Sequence, residues 1–235
     1  MNKHNFKQIK NDLSAFFLSN EIINNFKRQP EIKETVEKKK NIIAQDNIFF
    51  PNEKDQLFWC FYIILYGIDK YNLLSNKYLE EKKIKIEIIQ SLKNYKPLLK
   101  EIKISKNVVE NELLNEKKIS MITIKALCFI YNINVFYIKN SVYYKIIPDT
   151  TQKEIKLINQ VGESYGYKNF ISSFKIDYYK ENFWELENIG KPMKAISSYK
   201  VDEIKDIAKK LKIELFNKYQ SKRTKKELYE NISIK

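Results

Sequence analysis

Between Asp55 and Gly67 the chain reads DQLFWCFYIILYG, and every position from Leu57 to Tyr66 is apolar or aromatic. A helix that is hydrophobic on all sides has no face to offer water, so it must be wrapped by other elements at the centre of a domain. The run is about half of the roughly 20 residues needed to cross a bilayer. It therefore predicts a core helix over 55–67, with Asp55 as its N-cap, and no membrane association.

The segments on either side supply the wrapping. Residues 1–40 predict helix: Phe6, Ile9, Leu13, Phe16 and Phe17 fall at near-helical spacing, and Ile22, Ile23 and Phe26 extend the stripe to Pro30. Leu79 to about Leu99 predicts one charged amphipathic helix with Ile84, Ile86, Ile88, Ile89 and Leu92 as its apolar positions. A helix or turn through Leu114 and a buried helix from about Ser120 to Tyr131 follow. VFYI then reads as a strand, with SVYYKII pairing back across the turn Lys139–Ser141. KEIKLINQ and FISSFKIDYY read as further strands around a loop, VGESYGYKN, and ENFWELENIGKPMK as a linker punctuated by Gly190 and Pro192. The class expected is α+β. A mostly helical N-terminal domain with a small antiparallel sheet spans 1–185, with strands within 133–180. A linker covers 186–195, and a two-helix module 196–235. A chain of 235 residues is long enough for one full core plus such a module.

The cysteine in DQLFWC raises the possibility of chemistry. Its place near the start of a buried helix, and the later run from buried helix (KALCFIY) into strand (NVFYI), resemble papain-like and ovarian-tumour-type cysteine peptidases over roughly residues 50–180. The resemblance implies Cys60 as nucleophile and a histidine on a downstream strand as its base. The sole histidine is His4, upstream of the cysteine. Cys60 also lies beyond the first helical turn, where the helix dipole fades, and between Trp59 and Phe61, where burial would raise its pKa. The expectation is that Cys60 and Cys128 pack as reduced, small hydrophobes, with catalysis by Cys60 as the alternative. With two cysteines and one histidine, the usual Cys/His zinc sets cannot be completed, and no metal or cofactor is expected. The N-terminus lacks an apolar h-region and a cleavage site, which points to an intracellular protein.

The stronger signal is at the C-terminus. The net charge is +14, although only Arg28 and Arg223 are arginine, and the abundance of Lys, Ile and Asn has the character of AT-rich coding. From Lys191 to the end, 13 Lys/Arg face 6 Asp/Glu, and 13 − 6 = +7, half of the excess in about a fifth of the length. Ser198 is positioned to cap a helix with Val201, Ile204, Ile207, Ala208 and Leu211 along one face. Thr224 and Glu227 form a T-x-x-E capping box opening a second helix, with Leu228 and Ile232 inward. SYKVDEIKDIAKKLKI and SKRTKKELYENI resemble the two helices of SAP-like and Rho-N-type helix–extended–helix modules, which implies DNA or RNA binding. No glycine stands between the helices, and the loop ELFNKYQS is longer than the family's. Lys222, Arg223, Lys225 and Lys226 crowd the start of the second helix, where the macrodipole is already positive and free N–H groups could receive a phosphate. Lys200, Lys209 and Lys210 complete the candidate interface. Lysine grips backbone rather than reading bases, so low sequence specificity is expected.

In composition, core and tail the chain resembles proteins of large cytoplasmic DNA viruses. The function expected is a non-enzymatic nucleic-acid-binding accessory protein, DNA ahead of RNA, with a protein partner at the N-terminal domain. The alternatives are a cysteine peptidase and a structural or scaffold virion protein.

Overall fold

The computed structural model describes residues 48–152, 154–217 and 220–233. The helix expected over 1–40, and His4 with it, lies outside the described residues. The elements are α1 (Gln56–Tyr66), α2 (Ile68–Leu73), α3 (Lys77–Ser91), α4 (Lys96–Glu101), α5 (Lys106–Asn115), α6 (Met121–Ile130), β1 (Val135–Lys139), β2 (Val142–Ile146), β3 (Lys156–Val161), β4 (Ser164–Lys168), α7 (Ser173–Asn182), β5 (Trp184–Glu185), a short 3-10 turn (Ile196–Ser198), α8 (Val201–Lys210) and α9 (Lys225–Ser233). The class is α+β.

Helix α1 starts where the sequence places it, with Asp55 accepting the Phe58 N–H at 3.3 Å. It stops at Gly67, whose φ of 88° is left-handed and whose N–H returns to the Ile63 carbonyl at 2.9 Å. Leu57 to Ile63 are all buried, so the apolar run is indeed the centre of the main core. The single helix expected from Leu79 to Leu99 is two. The chain turns over Leu92–Tyr95, and Pro97, which has no N–H to donate, stands in the first turn of α4 rather than in a helix interior. Ile86, expected inward, is exposed, while Ile84, Ile88 and Leu92 are buried.

The sheet runs β4-β3-β1-β2-β5. The β1–β2 hairpin forms across the expected turn, pairing Lys139 with Val142. The sheet is mixed rather than antiparallel throughout, since β1 also pairs with β3, and β2 with β5, in parallel. Val135, Phe136, Tyr137 and Ile138 are all buried because both faces of the central strand are covered, which is why VFYI shows no alternation. Val135 and Tyr137 belong to the main core; Phe136 and Ile138 belong to a second cluster under α7.

Three further readings are corrected. VGESYGYKN contains a strand, β4, turning from β3 at Gly162 (φ 59°). Gly166 inside it admits the segment before α1: a Cβ there would meet Phe50 Cε1 at 2.8 Å, and Phe49 exchanges two backbone hydrogen bonds with Tyr167. FISSFKIDYY is mostly helix α7, because Ser172 caps it by accepting the Lys175 N–H and so diverts the chain from extended structure. Its Tyr179 then packs 5.9 Å from Phe136, while Phe174 is left exposed. ENFWELENIGKPMK includes β5, with the Trp184 N–H on the Ser141 carbonyl and the Leu186 N–H on the Tyr143 carbonyl. Trp184 and Val142 in turn pack against the core of the C-terminal helices, and contacts join the described residues into one compact unit.

Thr123, fully buried on α6, carries a hydroxyl with no hydrogen-bond partner among the described residues. A buried unpaired polar group costs about 1–3 kcal/mol. Thr123→Val should therefore raise stability by about 1 kcal/mol in urea denaturation; a loss of stability would show that the hydroxyl is satisfied in solution.

Candidate functional site

Cys60 is 0% exposed. Its Sγ donates to the Tyr165 carbonyl of β4 at 3.6 Å, and burial, with the Asp55 carboxylate adding to it, pushes the thiol pKa well above its ordinary value. Cys128 is equally buried in the same cluster and shifted the same way by burial. Among the described residues no imidazole approaches either thiol, because the sole histidine is His4. The neighbouring Gln56 is committed to structure: its side-chain oxygen accepts the Tyr165 N–H at 3.0 Å and its amide donates to the Pro51 carbonyl at 2.9 Å, tying β4 to the start of α1. Cys60 is a core residue whose thiolate is disfavoured.

Asp55 does more than cap. It accepts the Ile119 N–H at 3.2 Å and the Lys85 ammonium at 2.7 Å, and Lys85 also donates to Glu81 at 2.8 Å. Glu81 in turn accepts the Trp59 indole N–H at 3.0 Å. Burial would lower the Lys85 pKa, but the Asp55 and Glu81 carboxylates outweigh it and hold Lys85 above the ordinary lysine value. Beyond the Asp55 cap, the sequence trace of this network is a lysine between two isoleucines, IKI at 84–86, whose inward position nothing local reveals.

In the C-terminal module Ile204, Ile207, Ala208 and Leu211 of α8 and its end pack with Leu228 and Ile232 of α9, as expected, while Val201 is exposed. Ser198 does not cap α8; it lies in the 3-10 turn. The helix opens after Lys200, whose backbone N–H is taken by the Glu203 carboxylate at 2.6 Å. The turn that lacks a glycine is made by Lys212 at φ 57°, with the Ile213 N–H closing onto the Ala208 carbonyl at 2.8 Å. That is the bond pattern of a helix end which glycine usually serves. The capping box forms: Thr224 N–H and Oγ1 donate to Glu227 at 2.7 and 2.9 Å, and the Glu227 N–H donates to Thr224 Oγ1 at 3.3 Å. The Thr224 backbone N–H, its hydroxyl and nearby Arg223 hold the Glu227 carboxyl below its ordinary pKa. The expected capping box thus places the Glu227 carboxylate at the positive end of α9, where it offsets the crowding of Lys225 and Lys226.

The seven candidate cations divide. Lys209 pairs with Asp206 at 3.0 Å, Lys210 donates to the Lys180 carbonyl at the end of α7, and Arg223 Nε donates to the Phe216 carbonyl at 3.2 Å. Lys194 and Lys205 are likewise paired, with Glu187 and Asp202. Lys200, Lys222, Lys225 and Lys226 make no side-chain hydrogen bond or ion pair among the described residues. Lys200, Lys222 and Lys226 are exposed and Lys225 is half-buried. Tyr199 brings Lys200 to the second helix, its ring 6.4 Å from that of Tyr229, one turn beyond Lys225 and Lys226.

Among the described residues no helix is long and apolar enough to cross a membrane, and no group of three His, Cys, Asp or Glu residues is placed to hold a metal. No protein-family model, curated protein or solved structure matches the chain.

Proposed function

We propose that the protein is a non-enzymatic nucleic-acid-binding accessory protein that grips the phosphate backbone through the C-terminal two-helix module. The observation that carries this reading is selective pairing. In the module Lys205, Lys209 and Lys210 have partners among the described residues, while the ammonium groups of Lys200, Lys222, Lys225 and Lys226, like that of Lys212, have none there. Repeated phosphates at fixed spacing are the partner such an array neutralises, and point-like ammonium groups hold phosphate without reading bases. DNA is the preferred polymer, in keeping with the SAP-like character of the helices and the large-DNA-virus character of the chain, and the setting is the host cytoplasm or the virion. Leu73, Tyr78 and Leu79, all well exposed on α2 and α3, offer the helical part a surface for a protein partner.

The full chain should be titrated into labelled DNA and RNA, duplex and single-stranded, at several salt concentrations. With four phosphates engaged, log affinity should fall against log salt with a slope of roughly −3 to −4. Absence of binding at about 50 mM salt, or affinity indifferent to salt, rules the reading out.

A further inference from the structure

Between the β1–β2 turn, strand β5 and the C-terminal helices lies a cavity of about 460 Å³, a size typical of small-molecule sites. Its apolar lining includes Trp184, Leu186, Ile189, Met193, Leu211 and Ile232. The polar lining is Lys139, Asn140 and Ser141 of the β1–β2 turn with Tyr137 and Ser233, and among the described residues it includes no Asp or Glu. Lys139 ends β1, held in register with Val142 on one neighbouring strand and Gln160 on the other. Its ammonium has no ion pair or hydrogen bond among the described residues, and the indole N–H of Trp184 has no acceptor there either.

We propose that this cavity binds an apolar monocarboxylate, its hydrocarbon part among Trp184, Leu186, Met193 and Ile232 and its carboxylate on Lys139. Apolar walls select hydrocarbon, because burying it removes surface from water on both sides. The lone unpaired cation selects an anion over a neutral or cationic head group. One positive charge matches one negative charge, so a dianionic phosphate would carry uncompensated charge into an apolar surround. The lining residues come from both the sheet edge and the module, whereas Lys200, Lys222, Lys225 and Lys226 contribute nothing to it. Occupancy is therefore independent of the nucleic-acid reading.

The test uses the full chain and three probes of equal chain length: decanoate, decanol and decylamine. Trp184 is the reporter, since Trp59, the other tryptophan, is sealed in the core with its indole on Glu81. Decanoate should change tryptophan emission saturably, decanol should bind about tenfold or more weakly, and decylamine should give no change. Lys139→Met should bring decanoate down to the level of decanol, Lys139→Arg should keep the preference, and Trp184→Phe should abolish the signal. Ile232→Trp, filling the cavity, should abolish binding of decanoate and decanol by calorimetry. Equal affinity for decanoate and decanol in the wild type, no response to decanoate, or an unchanged preference in Lys139→Met with the fold intact by circular dichroism would each overturn the proposal.

Discussion

Asp55→Ala should cost the protein about 3–5 kcal/mol in urea denaturation, the penalty for removing one partner of a buried ion pair. Asp55 is 1% exposed and Lys85 is 7% exposed, so the ammonium left behind cannot reach bulk water without unpacking α3. Two buried N–H groups, of Phe58 and Ile119, lose their acceptor in the same step. Asp55→Asn should cost less, because an amide oxygen still caps α1 and still serves Ile119, and Glu81 keeps its contact with Lys85. Asp55→Asn/Lys85→Met should be more stable than Asp55→Ala, since it removes both members of the pair and leaves no buried charge without its partner. The pKa of Asp55 points the same way: burial raises it even against the pull of Lys85, so the charged carboxylate sits in the core at a cost. The cycle of single and double variants measures the coupling directly. A loss below about 1 kcal/mol in Asp55→Ala would mean that water reaches the network and that the pair does not fix α1 against α3.

That network marks the boundary of what the sequence discloses. The cap at Asp55 is local, three residues from the N–H it accepts, and is legible from type and spacing alone. Its bonds to Lys85 and Ile119 reach 30 and 64 residues along the chain, and no periodicity encodes them. The central helix and the β1–β2 hairpin are legible for the same local reasons: an all-apolar run and two apolar segments around a short turn. Strand β4 is hidden because Ser164, Tyr165 and Gly166 carry turn chemistry, and it is the approach of Phe50 that requires the glycine. Helix α7 is misread as a strand because Phe174, Ile176 and Tyr178 alternate, while the deciding group is the Ser172 cap. Strand β5 is only two residues long and owes its existence to pairing with β2, so a segment with linker composition becomes the seam between sheet and module. At the candidate interface the sequence supplies the right helices and the charge excess. It cannot tell which lysines spend their charge on neighbouring carboxylates, and that partition is what sets Lys200, Lys222, Lys225 and Lys226 apart from Lys205 and Lys209.

Replacing those four with glutamine should lower affinity for nucleic acid by about three orders of magnitude at 0.1 M salt, and the salt slope should collapse toward zero. Each phosphate contact contributes about −0.9 to the slope on duplex DNA, so four lost contacts account for both numbers together. Glutamine keeps helix propensity close to that of lysine, and none of the four side chains holds a hydrogen bond or ion pair among the described residues, so stability should be unchanged. Removing 191–235 outright is a poorer experiment, because it strips the cover from Val142 and Trp184 and confounds binding with folding. The informative control neutralises Lys194, Lys205 and Lys209, which lie in the module or just before it but already face Glu187, Asp202 and Asp206. Binding driven by overall charge would fall equally in both sets. Binding driven by uncommitted ammonium groups should fall in the first set and change by less than about tenfold in the second, because the Glu187, Asp202 and Asp206 carboxylates beside the paired lysines repel an approaching phosphate. Equal losses in the two sets would reduce the module to a diffuse positive field; no loss in either would remove it from the interface.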